Sequence, residues 1–197
     1  TNAGYNSTSG NHNLYIGYES GKGLGGTNHD NIGIGVQTLT NVQNGYNNIS
    51  IGSNALANLT NGQTNIALGK NVLYSLTSGV NNLRLGYESG FNLTNGEYNI
   101  LMGTNAGYNL NYSYNMAIGY NALYNNVSGA RNIAIGTASG YLNKGSTNIF
   151  LGVDAGQQSN LASQSICIGF QSGFNLDGDD NICIGTNAAY KNTTGTK

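Results

Sequence analysis

Asn132-Ile133-Ala134-Ile135-Gly136-Thr137-Ala138-Ser139 is the stretch whose reading decides the fold, because the whole chain is built of its variants. An apolar residue followed by glycine recurs at Gly17, Gly35, Gly52, Gly69, Gly86, Gly103, Gly119, Gly136, Gly152, Gly169 and Gly185, eleven copies spaced 16 to 18 residues apart. A fixed internal period of this kind marks a repeat architecture. With the marker glycine as position 0, position −4 is asparagine in ten copies: Asn13, Asn31, Asn48, Asn65, Asn82, Asn99, Asn115, Asn132, Asn148 and Asn181. Ser165 takes the remaining place. Positions −3 and −1 are always Ile, Leu or Met, while position −2 varies from Gly33 and Ser50 to Arg84 and Phe150. Such period-two alternation is that of a short strand with two unlike faces. The constant apolar pair is expected to point inward as a thin core, and the variable residue outward.

Position +3 is small in every copy, as in Ala55, Ser89 and Thr38. Position +5 is often aromatic: Tyr74, Phe91, Tyr108, Tyr124, Tyr141, Phe174 and Tyr190, with Tyr5 in the partial copy that opens the chain at Thr1. Position +7 is often Leu or Val, from Leu24 and Val42 to Leu176. A second extended segment is expected here. Another glycine stands seven residues before most markers, three times after asparagine (Asn44-Gly45, Asn61-Gly62, Asn95-Gly96), which is a strong turn signal.

A unit of this length cannot bury an apolar face alone, but stacked units can, each strand pairing with the next about 4.8 Å along the axis. The expected fold is all-β: a parallel β-solenoid of the roll type, left-handed, with about eleven coils of 16–18 residues in one domain, 1–197. The rod would be roughly 55 Å long. The asparagine column would form a ladder of amides bonding coil to coil.

Composition excludes other classes. Charged residues are 8% of the chain, against about 25% in ordinary domains. Seven Lys+Arg without a basic stretch argue against a nucleic-acid partner. No apolar run approaches the roughly 18 residues of a membrane span, so no membrane insertion is expected. The 35 Asn and 31 Gly disfavour helix, and the absence of Pro disfavours collagen. Thr1 follows no Met or charged-then-apolar leader, as in a mature product or an excised piece.

The unit Asn-Ile-Ala-Ile-Gly-x-x-Ala/Ser, seen at Asn132 to Ser139 and in close variant at Asn115 to Ala122, resembles the head repeats of trimeric autotransporter adhesins. It is also similar to repeats of phage and large-virus tail-fibre proteins. The resemblance implies a left-handed β-roll, a homotrimer, and a fibre segment exposed on a virion or cell surface where it contacts a host receptor or surface glycan. The unit here is longer than in the adhesin heads, and richer in Tyr and Asn.

Candidate chemistry is sparse, and neither an enzyme nor a cofactor is expected. Asp177, Asp179 and Asp180 form the one acidic cluster and could hold a cation, although a solvated turn explains them too. Gly21 to Gly26 formally fits G-x-G-x-x-G, but no strand-to-helix context surrounds it. His12 and His29 fall in successive turns and lack a third ligand. A tailspike-like glycan depolymerase would need paired carboxylates, yet Glu19 and Glu88 share a column four coils apart. Cys167 and Cys183 occupy one column on consecutive coils, where free thiols are expected. Seven Asn-x-Ser/Thr sequons, from Asn6 to Asn192, follow from composition. The ligand-contact candidates are the aromatic column, Tyr74, Phe91, Tyr108, Tyr124, Tyr141 and Tyr190, which could stack on sugar rings or pack in a core or subunit interface. An alternative is a monomeric module whose flat polar face, the asparagine column, binds ice or polysaccharide.

Overall fold

A computed structural model of the chain describes residues 2–6, 9–23, 25–160 and 162–192. Thr1 of the opening copy, Leu24 of the +7 column, and Thr8 and Thr194 of the first and last sequons lie outside them. The described residues form strands and turns and no helix. The fold is an all-β parallel solenoid in two compact units, Thr1–Asn99 and Ile100–Lys197.

In the first unit, β1 (Leu14–Ile16), β2 (Ile32–Ile34), β3 (Ile49–Ile51), β4 (Ile66–Leu68) and β5 (Leu83–Leu85) pair parallel in chain order. In the second, β6 (Ile100–Met102), β7 (Met116–Ile118), β8 (Ile133–Ile135), β9 (Ile149–Leu151) and β10 (Ile166–Ile168) do the same. Past β11 (Asn175–Leu176), β12 (Ile182–Ile184) completes that sheet, and β13 (Lys191–Asn192) pairs with β11. Every pairing matches equivalent repeat positions, such as Ile49 with Ile66 and Cys167 with Cys183.

The stretch after each strand departs from the expected second extended segment. It is turn in most coils, and among the described residues only β11 and β13 are extended there. The cause is backbone conformation. Positions −5, +2 and +4 are left-handed in coil after coil, with φ between 49° and 64°, from His12, Glu19 and Gly21 to Asp180, Asn187 and Ala189. Three such residues per coil curl the chain back on itself. Asparagine tolerates this region better than most residues, and it fills +2 at Asn54, Asn71, Asn105, Asn121 and Asn187. The marker glycines have φ of 121° to 139°. On nine of them, from Gly17 and Gly69 to Gly136 and Gly169, a Cβ would stand 2.2–2.8 Å from the carbonyl oxygen of the next marker, whereas Gly185 in the last coil has nothing stacked against it among the described residues. Glycine is thus required both by φ and by the coil stacked against it.

The strands are inside out relative to the expected orientation. Position −2 points inward: Ser50, Ala67, Arg84, Leu101, Ala117, Ala134, Phe150 and Cys167 are fully buried. The constant apolar pair points outward. Ile51, Met102, Ile133 and Ile135 are 36–40% exposed, and Ile182 and Ile184 of β12 about 70%. Alternation showed two faces but not which one was enclosed. The core instead combines position −2 with the small +3 column, the +4 leucines and the +7 leucines. In the first unit these include Leu39, Leu56, Leu59, Leu73, Leu76 and Leu93.

Positions −2 and +4 share one space inside the coil. Where −2 is small (Gly33, Ser50, Ala67, Ala117), +4 is a buried leucine (Leu39, Leu56, Leu73, Leu123). Where −2 is larger (Tyr15, Arg84, Leu101, Phe150, Cys167), +4 is glycine (Gly21, Gly90, Gly107, Gly156, Gly173). A Cβ at those glycines would lie 2.0–2.4 Å from the facing side chain. Gly140 faces small Ala134, but the space there is taken by Leu123 and Phe150 of the flanking coils, each 2.9 Å from a Cβ at Gly140.

This packing predicts a coupled pair. Gly156→Leu should destabilise by about 3 kcal/mol through overpacking, and Phe150→Ala by about 3–5 kcal/mol through a cavity. The double variant, with the small/leucine combination of Ser50 and Leu56, should recover about 1–3 kcal/mol of the summed loss. Urea denaturation of all four proteins reads this coupling; strict additivity would disprove the shared space.

Candidate functional site

The asparagine column lies inside the coil, where the strand begins, and Asn31, Asn48, Asn65, Asn99, Asn132 and Asn148 are wholly buried. Within each unit the Oδ1 of one asparagine accepts both the backbone N–H and the Nδ2 of the next, at 2.9–3.2 Å, as from Asn48 to Asn31 and from Asn148 to Asn132. Most of the Nδ2 groups also donate to a carbonyl of the following turn, at 2.8 Å from Asn65 to Gly79 and from Asn82 to Gly96. Asn115 donates likewise to Gly129, and Asn181 to Gly178 within its own turn. Ser165 keeps the column running: its N–H donates to Asn148, and its Oγ accepts from the N–H of Asn181. An enclosed column offers no polar array to ice or to any other surface.

Arg84 occupies the inward position of β5 and is completely buried. None of its three guanidinium nitrogens has a hydrogen-bond partner. Burial pushes its pKa down to about 9. An isolated buried charge opposes folding. The sequence reading placed Arg84 outside, and the glycine at +4 (Gly90) was the available signal that a large side chain points in.

The aromatic column is half-buried, on the coil side away from the main sheet, and its rings lie on one another. Tyr74 stacks on Phe91 at 5.2 Å between centroids and 7° between planes. Tyr108, Tyr124 and Tyr141 form a continuous stack at 5.1 Å steps, and Phe174 lies 4.8 Å from Tyr190. Rings inside a stack have both faces covered by neighbours, so a sugar could reach only their edges. Faces open only where a stack ends.

The ionisable candidates are not brought together. Asp177, Asp179 and Asp180 are exposed. Asp179 Oδ1 accepts the N–H of Ser163, and Asp180 supplies a left-handed turn residue. Among the described residues no three His, Cys, Asp or Glu side chains converge on a metal-sized site. His12 faces Asp30 at 3.3 Å on the surface, and His29 Nδ1 accepts the N–H of Asn11. Glu19 accepts from Gln37 and Lys22, which hold its carboxyl below the usual range, and Glu88 accepts from Asn71. Both glutamates are thereby tied into the ladder of their column. Cys167 and Cys183 are free and buried, and burial raises both thiols. Of the sequon residues, Asn48 and Asn126 are fully buried.

A further surface feature is formed by the columns expected in the core. The outward −3 and −1 columns run beside exposed aromatic and apolar residues at +1: Tyr18, Val36, Tyr87, Tyr120, Val153 and Phe170, each 44–54% exposed. Each unit thus presents an apolar sheet face to solvent. Contiguous patches of this kind are rare on monomeric proteins.

Two substitutions test the interior. Asn65→Ala removes the acceptor of Asn82 and the donor to Gly79, and should cost about 3–5 kcal/mol. Asn65→Ser, imitating Ser165, should cost about half as much; equal losses would show that the ladder bonds contribute little. Arg84→Leu, imitating Leu101 opposite Gly107, should stabilise by about 1–4 kcal/mol at pH 7. Because the folded pKa of Arg84 is lowered, its penalty is complete below about pH 9 and is relieved as pH rises through 9 toward 12.5. The gap between native and variant denaturation midpoints should therefore narrow above pH 9, and a constant gap would contradict the assignment. In comparisons with known proteins, the chain matches no family model, no curated protein and no solved structure.

Proposed function

We propose that the chain is a non-enzymatic shaft segment of a fibre on a virion or cell surface, and that it assembles as a homotrimer through the outward apolar face. The observation that carries this reading is the exposure of the −3, −1 and +1 columns in each unit. A solvent-facing stripe of Ile, Leu, Tyr and Val is costly in water and favourable against like surfaces of other copies. The resemblance of the repeat to adhesin heads and tail fibres supplies the number three. Three sheet faces closing on one another would place the half-buried isoleucines in a common core. The opposite side, with the aromatic column and its flanking amides, would stay outside and meet the host. The contacts would be weak singly and strengthened by repetition. Low charge suits such a rod, since in-register stacking sets like charges about 5 Å apart.

The test is solution mass by light scattering on a size-exclusion column over a tenfold concentration range. The expected mass is three times the chain mass of 20.5 kDa. Ile51→Asp with Ile135→Asp, one outward change per unit, should yield a monomer with an unchanged far-ultraviolet dichroism spectrum. A native chain that stays monomeric throughout overturns the reading.

A further inference from the structure

The aromatic column is interrupted once in each unit, and both interruptions open a cleft. In the first unit, +5 is Lys22, Thr40 and then Ala57 before the stack starts at Tyr74. A cleft of about 150 Å³ lies there, lined by Thr40, Ala57 and Tyr74, with amide walls from Gln37, Asn54 and Asn58. Thr40 also carries a hydroxyl oxygen that is buried without a hydrogen-bond partner. In the second unit the stack Tyr108–Tyr124–Tyr141 stops at Gln157. A cleft of about 290 Å³ opens there, lined by Tyr141 and Gln157, with Asn121, Leu142 and Gln158 around it. Gln157 does not cap the ring with its amide, which is drawn aside to donate to Asp154 at 2.9 Å. A wider cleft of about 450 Å³ shares Leu142 and Gln158 and continues past Asn125, Asn160 and Asn175, where it also carries the charged side chains Lys144 and Asp177.

We infer that these gaps are binding subsites for neutral hexopyranose residues of an oligosaccharide, each stacked on the end tyrosine of its run, Tyr74 or Tyr141. Three observations converge. First, the coil repeat sets flat rings one above another at 5.1–5.2 Å in these stacks, so a vacated +5 position is shaped for one more six-membered ring. A pyranose presents an apolar C–H face of that size, which packs on the ring's electron-rich face. Second, the walls are carboxamides, which offer both donors and acceptors to hydroxyl groups. Third, the walls that meet the end rings carry no ionisable side chain apart from the tyrosines themselves, which favours an uncharged ligand over a sialic or uronic acid. The same arrangement arises in two units from different residues at +5.

This inference rests on the reading of the chain as a glycan-contacting surface segment, but not on its oligomeric state. Saturation-transfer-difference NMR with methyl glycosides of glucose, galactose, mannose and N-acetylglucosamine, and with sialic acid, tests it. The expected result is transfer to at least one neutral glycoside, strongest on the protons of one ring face. Filling both gaps with Ala57→Tyr and Gln157→Tyr extends the stacks and should weaken binding at least tenfold while leaving the thermal midpoint unchanged or higher. If the filled protein fails to fold, Tyr74→Leu with Tyr141→Leu should give the same loss. Absence of transfer from every neutral glycoside, binding to sialic acid alone, or undiminished binding in the folded variants overturns the inference. A trimer that binds no sugar would refute these subsites and leave the fibre reading standing. A sugar-binding monomer would do the reverse.

Discussion

Within each unit, equivalent positions of successive coils meet about 4.8 Å apart, and almost every other feature follows from that constraint. A residue type can persist in a column only if it tolerates a copy of itself at that distance. Carboxamides do, because one amide donates to the next and still has a proton left for a turn carbonyl, as in Asn31, Asn48 and Asn65. Aromatic rings do, by lying flat on one another. Isoleucines do, by packing side against side. Like charges do not, which agrees with a chain only 8% charged.

The same constraint makes the interior narrow. Two facing positions, −2 and +4, share one volume, and their sizes trade off coil by coil. Buried leucines at +4 accept a left-handed backbone, with φ near 50°. That conformation costs a non-glycine residue roughly 1–2 kcal/mol, and burying the leucine side chain returns an amount of similar size. Arg84 is the exception: it fills the interior volume but leaves its polar head without partners.

A narrow interior also limits how much apolar surface one chain can enclose. The most constant apolar residues, at −3 and −1, are left outside on the sheet. Within the strand, the enclosed residue is the one that varies, because its partner at +4 across the coil varies with it. The surface is therefore divided by chemistry: an apolar face on the sheet side, and amides, hydroxyls and ring edges on the turn side. Breaks in the aromatic column matter for the same reason. In a ladder, leaving out one rung exposes the faces of its neighbours.

The repeat, its period, the all-β class and the parallel coil-on-coil stacking were legible in the sequence, because in-register stacking forces identical residues into columns that can be counted. The likeness of the ten asparagines was legible for the same reason, since within a unit one amide bonds to the next. Which face of the strand is enclosed was not legible from period two alone, which distinguishes two faces without ranking them. Constancy was a misleading guide, for Ile34 and Ile51 are constant in type and point outward, while Ser50 and Ala67 vary and point in. A sharper signal was present in the pairing of small −2 residues with leucine at +4 and larger ones with glycine, which only contact across an interior explains. The lack of partners around the Arg84 guanidinium and the clefts beside Tyr74 and Tyr141 were decided by tertiary structure. They depend on what the neighbouring coil places one rung away, and no single repeat contains that information.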